Sequence, residues 1–392
     1  MELLTGVRVV DLTAAVAGTT GTLVLADLGA DVIKIEPLRG EHYRTALDGA
    51  FLLALNRNKR GVAIDLKTKE GQDIVMNLVK KADVFVENFV PGTIEKLGLG
   101  YERVKGVKPD IIYCSVSGFG QHGPMSQRAA YDPVAQAMAG IMIATGEADG
   151  KPCRQVTSLI DMTAGLYASI AILASLNKRN STGEGQRIDV SMLDTAVSAM
   201  NFFLTWHSLT GNLPMRQGSG TPAWTPYQAF DTKDKPVWIG ASTDKFWRAF
   251  CEALDLEDLG KDERYLTDQG RRDHREELVA KVTDICMQYT SEELDRKLQE
   301  AGVPVGILAT VADVPDNPQV RFRNLIDEFE YPGRGRAKTV KTPIMVAGKL
   351  PDTKMQAPRI GEHTVEVLRE HGYSDSEIQK FMSQRIIMQH MA

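Results

Sequence analysis

The chain has 392 residues, 43% of them hydrophobic and 25% charged, with a formal net charge of -5 at pH 7. That length exceeds one ordinary compact domain and predicts two. The acidic balance sets aside a general nucleic-acid binder and leaves small molecules as the expected partners, with room for a local basic pocket. Cys114, Cys153, Cys251 and Cys286 form no CxxC pair and the seven histidines show no HxxxH spacing. Reduced thiols and no metal centre are therefore expected.

The N-terminus enters a strand-like segment without a basic region and long apolar core, so no secretory signal is read. The longest apolar-rich stretch, Leu166 to Leu176, is too short and too rich in Ser and Ala to span a bilayer. A cytoplasmic protein with no membrane partner is expected. Val7 to Leu12 predicts a buried strand, Thr19 to Leu28 a helix and Asp31 to Glu36 a second strand. A helix over Glu70 to Lys81 leads to strands at Asp83 to Val86 and Ile111 to Val116. This alternation predicts a parallel sheet with crossover helices, an α/β, Rossmann-like unit. Met162 to Asn177 is apolar on nearly every face, with Ala164, Gly165, Ala168, Ala171 and Ala174 permitting close packing, and predicts a buried helix. A second apolar stretch covers Ser191 to Leu209. Residues 211–226 are rich in Gly, Pro and polar side chains and predict a linker or loop. A strand at Val237 to Ile239 and helices at Asp244 to Leu254 and Ser291 to Ala301 then suggest a smaller α+β unit. Val314 to Arg323 begins a return segment, and Gly361 to His371 predicts a terminal helix.

The first βα turn, Ala15-Val16-Ala17-Gly18-Thr19-Thr20-Gly21, lacks the first glycines of G-x-G-x-x-G, so no NAD site is expected although Glu36 ends the second strand. Asp161 stands as a lone carboxylate at the mouth of the apolar helix, between turns marked by Gly118-Phe119-Gly120-Gln121-His122-Gly123-Pro124 and Thr182-Gly183-Glu184-Gly185. An aspartate there is either an N-cap or a nucleophile, and the helix N-terminus would keep it ionised at neutral pH. Gln217-Gly218-Ser219-Gly220-Thr221-Pro222 reads as an inter-domain linker or as a cover whose amides could meet an oxyanion. Arg39, Lys59, Arg60, Lys67 and Lys96 fall near turns. Singly they read as surface charge, and as a set they could meet phosphates.

These segments, with Gly6-Val7-Arg8-Val9-Val10-Asp11-Leu12, Asn56-Arg57-Asn58-Lys59-Arg60, Glu87-Asn88-Phe89-Val90-Pro91-Gly92 and Tyr131-Asp132-Pro133, resemble family III CoA-transferases in order and spacing over almost the whole chain. The resemblance implies a large Rossmann-like domain from 1–210, completed by a return segment over 313–392. A linker and glycine loop would occupy 211–226 and a small α+β domain 227–312, within an interlocked, ring-like homodimer. It implies acyl-CoA and a small carboxylic acid as substrates, with Asp161 as nucleophile and Gly218, Ser219 and Gly220 as a mobile catalytic cover. Ala15, Lys67, Asn88, Lys96 and Met192 match positions near CoA, and Arg39, Lys59 and Arg60 are further candidates for its phosphates. Val16, Ala17, Phe51 and Tyr131 match positions around the acid, and His42, Tyr43 and Arg44 supply either a carboxylate anchor or an exposed loop. Oxalate-specific members carry glutamine at the position of Val16 and tyrosine at that of Phe51, so the resemblance implies a larger or less polar acid here. Two alternatives stay open. One is an α-methylacyl-CoA racemase, weakened because Tyr131, a phenol with a pKa of about 10, stands where the racemases carry histidine, unless His122 swings in. The other is a non-catalytic CoA-binding protein.

Overall fold

Alternating apolar residues on short strands send side chains to both faces of one sheet, and helices cover each face. The computed structural model describes residues 2–331 and 335–390. Its strands are β1 (Arg8–Asp11), β2 (Asp31–Glu36), β3 (Lys59–Ile64), β4 (Val84–Glu87), β5 (Ile112–Ser117), β6 (Gln186–Ser191), β7 (Tyr227–Phe230), β8 (Val237–Gly240), β9 (Val305–Ile307), β10 (Ile326–Tyr331), β11 (Gly335–Val340) and β12 (Ile387–Met388). The chain forms two compact units, one comprising Met1–Ile141, Gln155–Asn201 and Gln319–Ala392, the other Met142–Arg154 and Phe202–Pro318.

The first unit holds a seven-stranded sheet in the order β12-β3-β2-β1-β4-β5-β6. Six strands are parallel and β12 closes the β3 edge antiparallel, Ile387 opposite Ile64. One face packs Val10, Ile33, Val62, Phe85 and Tyr113 with Ile74, Leu78, Val367 and Ile378. The opposite face packs Val9, Val32, Val84, Ile112 and Val116 with Leu25, Ile160, Ala164, Ala168 and Ile172. The order 3-2-1-4-5-6 places a topological switch between β1 and β4, where loops leaving neighbouring strands diverge and open a crevice at the carboxyl edge. A two-stranded hairpin, β10-β11, completes the sheets of this unit.

β2 lies where the alternation predicts it. β3 departs from expectation, because Lys59 and Arg60, read as residues near a turn, open a strand buried along its length. Their charges are matched by Asp11, Asp31, Glu366 and Glu370, partners distant in sequence. The terminal helix is Thr364–Glu370, followed by an unanticipated helix, Asp375–Ser383, and by β12.

The predicted apolar helix runs from Leu159 to Thr182 and ends at Gly183 in the left-handed region. By length and composition it is apolar enough to cross a membrane, which the shorter stretch considered above was not. Its small side chains instead line a core contact with the helix Ala17–Asp27. A Cβ at Gly165 would fall 2.4 Å from the Ala17 carbonyl oxygen, and one at Gly21 would fall 2.9 Å from that of Gly165. The two helices thus meet backbone to backbone.

The second unit has an antiparallel sheet, β7-β8-β9. It packs against helices Asp244–Ala253, Arg275–Cys286 and Ser291–Glu300 through Trp247, Phe250, Leu278, Val282, Leu294 and Leu298. Residues 211–226 carry neither helix nor strand.

Candidate active site

Asp161 is the third residue of the helix Leu159–Thr182, and Ser158 before it makes no capping hydrogen bond with its side chain. The first-turn amides are met from elsewhere. Oδ2 of Asp132 accepts from the amides of Ile160, at 2.7 Å, and Asp161, at 3.1 Å. Asp132 is 2% exposed and lies in the first turn of its own helix, Asp132–Met138, with Pro133 beside it. The capping role that the sequence left open for Asp161 thus falls to another carboxylate, and among the described residues no side chain hydrogen-bonds that of Asp161. Two expectations are corrected. Asp161 is not a lone carboxylate, and it is not held simply ionised. Burial, and then the charge of Asp132, raise its pKa from 3.8 to about 7.

Around this carboxyl the chain gathers aromatic groups. The ring of Tyr43 meets Phe51 and His42 edge-on, each at 5.7 Å between centroids. The Tyr43 phenol is pushed above the ordinary range by burial, then by the neighbouring Tyr131 and the Asp161 carboxylate. Val16 and Ala17 are buried at the start of the helix Ala17–Asp27, and the Ala17 carbonyl faces Gly165, one turn along the helix from Asp161. Tyr43 thus lies near both Tyr131 and Asp161 with Phe51 against its ring, and Val16 and Ala17 stand at the start of the helix that packs against that of Asp161. Arg44 departs from both readings given to it. It is neither exposed nor free, because Glu36 and the Pro358 carbonyl hold its guanidinium.

A cavity of about 330 Å³ opens at the carboxyl ends of β1 to β3, lined by Leu12, Ala14, Pro37, His42, Lys67 and Phe89 among others. Its first loop is internally satisfied: Asp11 accepts from the Thr13 amide, Asn88 from that of Ala14, and Glu41 from that of Ala15. Asn88 also donates to the Ala14 carbonyl, joining the loops after β1 and β4. Ala15 itself is in the left-handed region, at φ 59°.

Lys67 lines the cavity, while Arg39 precedes Gly40 and Lys96 precedes Leu97 on its wall; all three are exposed. Lys59 and Arg60 are placed otherwise. The Lys59 ammonium is fully buried and donates to Asp11, Thr19, Thr22 and Asn56, so it has no accessible charge for a phosphate. Arg60 is bound by Asp31, Glu366 and Glu370. Met192 is buried in the core cluster that also holds Ile160.

The glycine loop lies in the second unit. Gly218 sits at φ 58°, where a Cβ would fall 2.6 Å from the Glu147 carboxylate, and its amide donates to the Gly146 carbonyl. Ser219 Oγ accepts from the Ala229 amide, and Gly220 donates to the Gln217 carbonyl. Sequence reasoning missed the roles of Asp132 and Glu41. The Tyr131-Asp132-Pro133 triplet carries a helix-start signal that marks the first of these, and nothing local marks the second.

The profile of CoA-transferase family III matches residues 4–364. The chain is 36% identical to the human (Homo sapiens) succinyl-CoA:glutarate CoA-transferase, over 99% of this chain and 90% of that one. It is 35% identical to the acetyl-CoA:oxalate CoA-transferase of Acetobacter aceti, over 93% and 95%. Among solved structures it resembles a CAIB/BAIF family protein from Brucella suis at a TM-score of 0.85 and 35% identity, covering 94% of this chain and 99% of that one.

Proposed function

Because this chain belongs to CoA-transferase family III, an enzyme family that moves CoA between acyl-CoA and carboxylic acids, we propose that it does so by a covalent route with Asp161 as nucleophile. An Asp161 oxygen attacks the acyl carbonyl carbon, the C–S bond breaks, and CoA leaves as a thiolate, giving a mixed anhydride. The thiolate attacks the aspartyl carbonyl carbon, the anhydride C–O bond breaks, and the original acid departs as a carboxylate. The acceptor carboxylate then attacks the aspartyl-CoA carbonyl carbon, the C–S bond breaks to give a second mixed anhydride and CoA thiolate, and the thiolate attacks the acceptor acyl carbon, breaking the anhydride C–O bond and freeing Asp161 as a carboxylate. No proton is gained or lost over the cycle.

The observation that carries this reading is the relief of Asp161 from capping by Asp132, which leaves a half-buried carboxyl with its pKa raised to about 7 and, among the described residues, no cation to neutralise it. A capping carboxylate would instead accept backbone amides, which favour its ionised form. Tyr43, Phe51 and Tyr131 form the acid pocket, and with Val16 they favour an acid larger or less polar than oxalate. A dicarboxylic acid fits both the apolar wall and the phenols, and the glutarate-named relative supports that class. Lys67, Arg39 and Lys96 at the cavity are the contacts for the CoA phosphates, and Gly218 to Gly220 act as the cover. The functional form is a homodimer. The uncovered apolar side chains Leu166, Tyr167 and Ile170 on the long helix support it, as do Phe202, Leu204 and Leu209 in the second unit.

The test is intact-protein mass spectrometry after incubation with succinyl-CoA or acetyl-CoA, with and without hydroxylamine, followed by peptide mapping. The expected result is a CoA-sized adduct on the peptide carrying Asp161, removed by hydroxylamine and missing from Asp161→Ala. Undiminished transfer by Asp161→Ala overturns the assignment.

A further inference from the structure

We propose that Asp132 is a positioning residue for the reaction: it fixes the turn that carries Asp161 and sets a second negative charge behind the nucleophile. Its three hydrogen bonds, extended by one from Gln136, form one relay. Oδ2 takes the amides of Ile160 and Asp161, while Oδ1 takes the side-chain amide of Gln136, which is fully buried one turn further along the same helix. The Gln136 carbonyl oxygen in turn accepts from the Gln155 amide at 3.1 Å. The relay therefore grips the incoming chain at residue 155 and again at 160 and 161, on both sides of Ser158. Every partner of Asp132 donates, the arrangement a carboxylate takes and an amide cannot.

The charge that acts on Asp161 among the described residues is of like sign. Asp132 faces it from the helix Asp132–Met138, and Tyr131 and Tyr43 present phenols from the preceding loop and from the segment His42–Gly49. No lysine or arginine is among these groups. A neighbouring like charge makes a carboxylate more basic and hence more nucleophilic toward a thioester, provided the pH leaves it ionised. Burial first, and the Asp132 charge second, raise the pKa of Asp161 to about 7. Asp132 meets only chain atoms, so its effect reaches the substrate through Asp161. The inference rests on Asp161 being the nucleophile.

The test measures kcat and kcat/KM against pH for Asp132→Asn, with succinyl-CoA as donor and glutarate as acceptor. Loss of the like charge should move the acid limb of the profile down by roughly one pH unit, and slackening of the turn should lower kcat by up to about 100-fold. Gln136 cannot donate to the altered side chain and accept from Gln155 in one orientation, so Asp132→Asn alone could unfold. The double variant Asp132→Asn/Gln136→Glu restores a donor-acceptor match along the relay and moves the charge away from Asp161. It should fold as the wild type does, with the acid limb still displaced downward. An acid limb and kcat matching the wild type in either folded variant overturn the role of Asp132. Transfer surviving in Asp161→Ala overturns the nucleophile itself, a separate outcome read from a separate protein.

Discussion

Two groups of buried charges in the same unit are built on opposite terms. Under the loop after β1, Lys34, Lys59 and Arg44 face Asp11, Glu36 and Glu41, three cations against three anions. Behind the start of the helix Leu159–Thr182, Asp132 and Asp161 face each other with no cation between them. Burial penalises every charge in both groups, and only the first offsets that penalty by pairing. Balanced charge is what a fold requires of its interior, whereas the unbalanced pair marks the place where a carboxyl must change state.

The sharpest way to break this contrast is to unbalance the balanced group. Lys59→Met leaves Asp11 buried opposite no ammonium on that side and should destabilise the protein by about 3–5 kcal/mol, read as a lower urea midpoint at constant slope. A loss below about 1 kcal/mol would mean that Lys34 and the hydroxyls of Thr13 and Thr22 suffice for Asp11. The converse experiment relieves the unbalanced group. The folded pKa of Asp161, about 7, lies above the ordinary aspartate value of 3.8, so the native state holds the proton more tightly. Its contribution is then fully present below pH 3.8 and fades as pH rises through about 7. Asp161→Asn should accordingly be stabilised relative to the wild type by up to a few kcal/mol at pH 8, with the gain vanishing near pH 4. Parallel stability curves across that window would refute the raised pKa.

Smaller effects sharpen the geometry. Gly165→Ala drives a methyl toward the Ala17 carbonyl oxygen and should cost about 1–3 kcal/mol, with kcat falling as the nucleophile shifts. Unchanged stability and kcat would show the helix contact to be looser than described. Tyr131→Phe removes one phenol from the acid pocket and should alter acid kinetics by about 1 kcal/mol, roughly fivefold, with little change in the KM for acyl-CoA. A change confined to acyl-CoA would displace Tyr131 from the acid.

The comparison also explains what the sequence could reveal. β2 and the apolar core of the long helix are written in local periodicity, and Asp161 in its position before that core. Lys59 and Arg60 read as surface charges because their partners lie as far as 310 residues away. β12 is two residues long and acquires meaning only against β3. Asp132 sat in a visible triplet, yet the amides it serves are 28 and 29 residues downstream. Helices and strands follow from neighbours along the chain, and the electrostatics of a site follow from neighbours across it.

The loop after β1 has a consequence for how ligand affinity responds to the medium. With the amides of Thr13, Ala14 and Ala15 already donated to Asp11, Asn88 and Glu41, this turn has none of those three to offer a pyrophosphate. A phosphate-bearing ligand in the cavity beside this turn would have exposed side-chain cations such as Lys67 to draw on, whose attraction is screened over about 8 Å at physiological ionic strength. The KM for acyl-CoA should therefore climb as salt is added, a sensitivity that a backbone-amide cradle would largely have escaped.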